Sequence, residues 1–89
     1  MIRITAVHMS GGTWHEHIAE VKWVNSKTDV TGAASRETMV DWIENQHVTA
    51  IVSDGRNTVA VGVVKATPKY IRTHAGGKWT DNLLALPRY

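Results

Sequence analysis

Two histidines flank a glutamate in His15-Glu16-His17, a cluster whose side chains could bind a metal ion. Histidines at positions i and i+2 of a strand point to the same face, where His8 or His47 could supply a third ligand. Histidines beside a glycine turn are more often solvated or hydrogen-bonded, so we expect no metal site at His15 and His17. The His-x-Glu order also occurs in zinc deaminases, but their remaining ligands are cysteines and the chain has none.

No other pattern indicates catalysis or a cofactor. There is no Gly-x-Ser-x-Gly elbow, and Ser10 and Ser53 lie in predicted turns without an evident base. The glycine pairs Gly11-Gly12 and Gly76-Gly77 match neither a P-loop nor a dinucleotide fingerprint. The absence of cysteine also excludes thiolate catalysis, disulfides and iron–sulfur clusters. We therefore expect a protein that is not an enzyme and that binds no cofactor.

A basic, aromatic hairpin near the C-terminus is the best candidate for a binding surface. Its cations and rings are Lys69, Tyr70, Arg72, Lys78 and Trp79. Cations combined with ring faces are typical of sheets that bind single-stranded nucleic acid. In the structural alternative, Trp79 meets Ile71 across the strands and fills a small core, while the other side chains are solvated. A three-residue turn at 74–76 would place Arg72 opposite Lys78 on one face.

Charge is distributed unevenly along the 89 residues. Residues 1–54 contain four Lys or Arg and seven Asp or Glu, whereas residues 55–89 contain six Lys or Arg and one Asp. The net charge of +2 thus divides into −3 and +5. A locally positive surface attracts phosphates and acidic proteins. We therefore expect a protein partner or an acidic macromolecule, possibly a nucleic acid.

Strands make up most of the secondary structure that the sequence predicts. Alternating or β-branched patterns predict strands at Ile2–Met9, His17–Val24, Thr49–Ser53, Thr58–Lys65, Tyr70–Thr73 and Lys78–Thr80. In the first strand, strict alternation puts Val7 on the face opposite Ile2 and Ile4. Residues 25–34 are polar and without period, and so predict a loop. The apolar segment 83–86 is expected to pack on the sheet, either irregularly or as one more short strand.

One helix is predicted, at Arg36–Gln46, with Ser35 as its N-cap. Its apolar side chains share one side, and its outer side is acidic through Glu37, Asp41 and Glu44. An acidic helix repels phosphate, which excludes insertion of this helix into a DNA groove. The element order ββαβββ predicts an α+β fold, a mostly antiparallel sheet of about five to six short strands with one amphipathic helix on a face. A chain of this length forms a single domain, residues 1–89.

Several segments resemble one family of proteins. They are Met9-Ser10-Gly11-Gly12, His15-Glu16-His17-Ile18, Trp23, Met39-Val40-Asp41-Trp42-Ile43-Glu44, Tyr70-Ile71-Arg72-Thr73 and Lys78-Trp79-Thr80-Asp81-Asn82-Leu83-Leu84-Ala85-Leu86-Pro87. With these segments the chain resembles, over nearly its whole length, short bacterial and bacteriophage proteins catalogued only as a domain of unknown function. The resemblance implies a bacterial or phage origin and a stand-alone small domain. It implies no reaction, ligand or catalytic residue.

These patterns together predict an interaction module that recognises another macromolecule. Nucleic-acid binding through the C-terminal hairpin is the alternative, and a metal-binding protein or an enzyme comes third. No apolar run approaches the roughly 18 to 20 residues that cross a bilayer. We therefore expect no membrane partner and a cytoplasmic location.

Overall fold

A single sheet of seven strands, with one α-helix against it, contains most of the 89 residues, all of which the computed structural model describes. The strands are β1 (Ile2–Met9), β2 (Ile18–Asn25), β3 (Thr31–Ser35), β4 (Ala50–Ser53), β5 (Thr58–Val64), β6 (Tyr70–Ala75) and β7 (Lys78–Thr80). The helix is α1 (Arg36–Glu44), and short 3-10 helices lie at His15–His17 and Asn82–Ala85. The strand order is β3-β2-β1-β4-β5-β6-β7. None of the helices is both long and apolar enough to cross a membrane.

The prediction of a mostly β protein with one helix is confirmed, but the sheet is mixed and contains an additional strand. Four of the five residues of β3, Thr31–Ser35, fall in the segment 25–34, for which a loop was predicted. It runs antiparallel to β2, and α1 then crosses the sheet to β4, which is parallel to β1. Because β3, α1 and β4 form a crossover unit, the strand that follows the helix runs in the same direction as β3. Because β3 was not predicted, the crossover from β3 to β4 was not predicted either, and the parallel pairing of β4 with β1 was missed for the same reason.

The sequence of β3 gives little indication of a strand, because it is TGAAS and contains no apolar alternation. Its pairing partner explains the glycine at position 32. Gly32 lies opposite Trp23, and a Cβ at Gly32 would be 2.6 Å from Cζ2 of that indole. The strand is thus held by its contact with β2 rather than by its own propensity.

The helix begins as predicted and ends earlier. The Ser35 side chain accepts a hydrogen bond from the backbone N–H of Thr38. Met39 is fully buried, and the Trp42 ring packs edge-on against Trp23 at 5.7 Å between ring centres. The last helical residue is Glu44, not Gln46. His47 takes the left-handed conformation with φ 55°, and this residue turns the chain away from the helix.

A bulge in β1 changes which side chains enter the core. The pairing with β2 shifts register between Ile4 and Ala6, so Thr5 is an additional residue. Ile2, Ile4 and Val7 are all buried as a result. The predicted strict alternation, which put Val7 on the face opposite Ile2 and Ile4, is therefore wrong beyond Ile4.

The C-terminal tail returns to β1. Residues Asn82–Ala85 form a 3-10 helix instead of a further strand, and Leu83 is fully buried. The backbone N–H of Val7 donates to the carbonyl of Pro87 at 2.9 Å, and the N–H of Tyr89 donates to the carbonyl of Val7 at 3.2 Å. The first half of β1 pairs with β4, and its second half pairs with this tail.

Candidate functional site

The turn between β6 and β7 sets the geometry of the predicted binding hairpin. Gly76 and Gly77 both have positive φ, 59° and 80°, which allows a two-residue turn to close the strands. His74 consequently lies opposite Trp79, and Lys78 lies opposite Ala75. The predicted three-residue turn is wrong, and with it the expectation that Arg72 faces Lys78. Trp79 does not meet Ile71 either, because its ring packs against the ring of His74 at 5.0 Å.

The five candidate residues of the hairpin are divided between the two faces of the sheet. Side chains alternate along a strand, and Ile71 and Thr73 of β6 are fully buried. Tyr70, Arg72 and His74 therefore point to the opposite face, which we call the open face, together with Trp79. The candidate residues Tyr70, Arg72 and Trp79 thus share the open face, and Lys69 and Lys78 do not.

The two lysines differ in their surroundings. The ammonium of Lys69 is 2.8 Å from a carboxylate oxygen of Glu44, so it lies on the side of the sheet that α1 covers. Lys78 is exposed beyond the end of the core, on the face opposite Trp79. Neither cation contributes to the open face.

Arg72 is held by the segment that follows β7. Its Nη2 donates to Oδ1 of Asp81 at 2.7 Å, and its Nε donates to the carbonyl of Thr80 at 3.1 Å. Its guanidinium carbon also lies 5.6 Å from the centre of the Trp14 ring, within range of a cation–π contact. The guanidinium is therefore fixed in position, and its charge is largely compensated by Asp81.

Two indole rings adjoin Arg72 and remain accessible to solvent. Trp14 is 49% exposed and Trp79 is 42% exposed. The Trp79 ring lies over Gly62, whose register partner on β6 is Arg72. We call this group the tryptophan surface; it consists of Trp14, Tyr70, Arg72, His74 and Trp79.

Sequence reasoning missed two members of the tryptophan surface. His74 follows Tyr70 and Arg72 at intervals of two, so extending the predicted strand from Thr73 to Ala75 would have included it. Trp14 belongs to the connection between β1 and β2, and nothing in its local sequence links it to β6. Its place depends on tertiary structure alone.

His15 lies beneath this surface and cannot act on an exposed substrate. Its side chain is fully buried, with Nε2 3.3 Å from Oδ1 of Asp81 and the ring of Trp14 edge-on at 4.6 Å. Burial lowers the pKa of His15, and the positive charge of Arg72 lowers it further, while Asp81 and Glu16 act in the opposite direction. The imidazole is therefore a buried, neutral group that packs under Trp14.

His15 and His17 do not have the strand geometry that would point both rings to one face for binding a metal. These residues lie in a 3-10 turn and not on a strand, so the expectation that both rings share one face is wrong. The His17 ring packs against Gly12 instead. No group of three or more His, Cys, Asp or Glu side chains is arranged to hold a metal ion.

A groove lies over β1, β2 and β3 on the open face, with a volume of about 530 Å³. Its polar side chains come from Arg3, Thr5, Lys22 and Thr31. The Lys22 ammonium also lies 4.5 Å above the ring centre of Tyr89. We call this the Arg3–Lys22 groove. It was not predicted, because one of its walls is the unpredicted strand β3.

Tyr89 is itself held in place by a hydrogen bond to β2. Its hydroxyl donates to Oε1 of Glu20 at 2.8 Å, and burial together with this contact raises the pKa of Tyr89 to about 12. The carboxylate of Glu20 is thus occupied by the phenol, and Lys22 is left without an acidic partner.

The fold and these surfaces define a small mixed-sheet domain with an α-helix on one face and an open face that carries rings and cations. Residues 3–87 match a family described as "Protein of unknown function (DUF3892)", and the chain belongs to this family. The predicted resemblance to a domain of unknown function is thereby confirmed. No curated protein and no solved structure matches the chain.

Proposed function

We propose that the protein is a non-enzymatic interaction module that binds another protein through the tryptophan surface, in the cytoplasm of a bacterium or of a phage-infected bacterial cell. The observation that carries this proposal is the pair of accessible indoles, Trp14 and Trp79, that adjoins Arg72. Tryptophan and arginine contribute most to binding energy at protein interfaces. Trp79 belongs to strand β7, and the Trp14 ring is held against Arg72 and His15, so little conformational entropy is lost when the two rings are covered.

The electrostatics of the hairpin favour a protein over a nucleic acid as the partner of this surface. Arg72 is paired with Asp81, Lys69 is paired with Glu44, and Lys78 lies on the other face. Affinity for nucleic acid depends on cations that are free to replace the counterions of phosphates. The rings therefore lack the free positive charges on which the alternative, nucleic-acid binding through the hairpin, depends.

The proposal of a non-enzymatic module is supported by the burial of His15, the one histidine that lies close to an aspartate, Asp81. A general base must reach the proton that it removes. The ring of His15 is fully buried against Trp14 and Asp81, and hence out of reach of a substrate. An enzyme or a metal protein remains the third candidate.

The test is capture of a partner by the full-length chain immobilised on beads, compared with two variants. Trp79→Ala removes one indole of the tryptophan surface, and Val30→Ala removes an exposed apolar side chain outside it. Proteins captured from a nuclease-treated bacterial lysate are quantified by mass spectrometry, and the Kd of each specific partner is then measured. We expect the Kd to rise roughly 30-fold or more with Trp79→Ala, as for a hot-spot residue, and to be unchanged with Val30→Ala.

Two results would contradict the proposal. One is a captured partner whose Kd is the same for the wild type and Trp79→Ala. The other is capture that disappears on nuclease treatment, together with an affinity for oligonucleotides that falls steeply with salt, which would favour the nucleic-acid alternative.

A further inference from the structure

We infer that the Arg3–Lys22 groove is a second part of the partner-binding face, and that it takes acidic side chains of an extended segment of the partner protein. This inference rests on the proposed function, and it names the chemistry of the partner. It depends on three observations: the register of the sheet, the unpaired charges in the groove, and the side chains between the groove and the tryptophan surface.

One row of paired residues crosses the whole sheet on the open face. In strand order it consists of Thr31, Val24, Arg3, Ile51, Ala60, His74 and Trp79. Each residue is the register partner of the next, so all seven side chains point to the same side. Arg3 and Trp79 are four strands apart, which corresponds to about 19 Å at the usual strand spacing. An extended peptide of roughly six residues spans this distance.

The groove contains two positive charges that no acidic side chain neutralises. Arg36, Lys69 and Arg72 each have a carboxylate within 4 Å, whereas Arg3 and Lys22 form no ion pair. None of the residues that line the groove is acidic. Threonine hydroxyls at Thr5 and Thr31 add hydrogen-bonding groups to its walls. The groove is therefore complementary to carboxylates presented by a ligand.

The residues between the two sites distinguish a peptide from a nucleic-acid strand. A single strand binds with its bases stacked on aromatic rings. Between Arg3 and Trp79 the row contains Ile51 and Ala60, which offer aliphatic surface and no ring before His74. This aliphatic surface can contact the apolar side chains of a peptide that places one aromatic or aliphatic residue on Trp79 and acidic residues over Arg3.

The probe is a displayed library of random peptides of about 12 residues, selected against the immobilised full-length chain. We expect the enriched peptides to combine an aromatic or aliphatic anchor with Asp or Glu roughly six residues away. The best peptide is synthesised, and its Kd is measured by fluorescence anisotropy. Arg3→Gln combined with Lys22→Gln should raise this Kd on the order of tenfold, since each exposed ion pair contributes modestly.

The control removes the same amount of charge elsewhere. Arg56→Gln combined with Lys65→Gln changes two exposed cations outside the groove, and it should leave the Kd within about twofold. All four altered side chains are exposed, so the melting temperatures of both double variants serve only to verify folding.

The results separate the two proposals. If Trp79→Ala abolishes peptide binding and the groove variant does not weaken it, the groove inference is wrong and the proposed function stands. Enriched peptides without acidic residues would overturn the inference in the same way. If no peptide is enriched, or if the groove variant instead loses affinity for an oligothymidylate of about 12 nucleotides, an acidic peptide is the wrong partner. In the oligothymidylate case the groove binds phosphate.

Discussion

The two faces of the sheet use alternate residues of the same strands for different purposes. On β6, Ile71 and Thr73 point inward and are fully buried, whereas Tyr70, Arg72 and His74 point outward. The polar side chain on the inner face is saturated with hydrogen bonds, because the hydroxyl of Thr73 contacts Thr80 and Asn82. On the open face, by contrast, the cations of the groove have no acidic partner. Stability and binding are therefore encoded on the same strands one residue apart, and a single register determines both.

The largest expected difference between the faces is in the free energy of unfolding lost when a large side chain is truncated to alanine. Ile71→Ala should lower the free energy of unfolding by about 2 to 5 kcal/mol, because it leaves a cavity in the core. Trp79→Ala removes a larger side chain from the open face, and should cost less than about 1 kcal/mol. Urea denaturation of both variants provides the comparison. Equal losses would mean that the Trp79 ring is part of the core.

The sequence was sufficient to predict the elements that have strong internal patterns. β1, β2, β5 and α1 were found with boundaries that differ by at most two residues from those of the structure. Each of them has an apolar alternation, a β-branched run or a helical period of its own. β3 has none of these, and its central contact is that of Gly32 with the Trp23 ring of the neighbouring strand. A strand defined by its neighbour cannot be recognised from its own composition.

The candidate site was predictable in composition but not in arrangement. Tyr70, Arg72 and Trp79, which the sequence assigns to one hairpin, lie on the same face of the sheet. Lys69 directly precedes Tyr70, so alternation along the strand places it on the other face, whereas the side to which Lys78 points depends on the length of the turn. A change of one residue in a turn moves every side chain of the following strand to the other face. Sequence patterns do not determine turn length when two adjacent glycines allow several turns.

A smaller difference in the free energy of unfolding is expected when two cations of the same hairpin are replaced in turn. Arg72→Ser should cost roughly 1 to 2 kcal/mol, because it removes charge-assisted hydrogen bonds to Asp81 and Thr80 from a side chain that is only 21% exposed. Lys78→Ser should change stability by less than about 0.5 kcal/mol, since that side chain is exposed. Thermal denaturation of the two single variants is the measurement. The comparison fails if Lys78→Ser is as destabilising as Arg72→Ser.

The smallest effect expected is a dependence of stability on pH that originates at His15, which is buried beneath the Trp14 ring of the open face. Its pKa is lowered from 6.5 by burial and by Arg72, so the unfolded chain takes up a proton at a higher pH than the folded protein. Stability is therefore fully present above pH 6.5 and decreases as the pH falls below it. His15→Gln should reduce this decrease between about pH 7 and about pH 5, as measured by urea denaturation. A pH dependence that is the same in both proteins would contradict this role.

The return of the C-terminal tail to β1 has a consequence for the order of events during folding. β1 meets β2 through a short connection, and so the N-terminal hairpin can form early. On the edge of β1 that faces away from β2, the residues around Val7 pair with Pro87 and Tyr89, about 80 positions further along the chain. Contacts of such separation form late, because the entropy of closing a long loop must be lost first. In a newly synthesised chain, the edge of β1 around Val7 therefore stays unpaired the longest, and it is the segment most available to a chaperone or to a second chain.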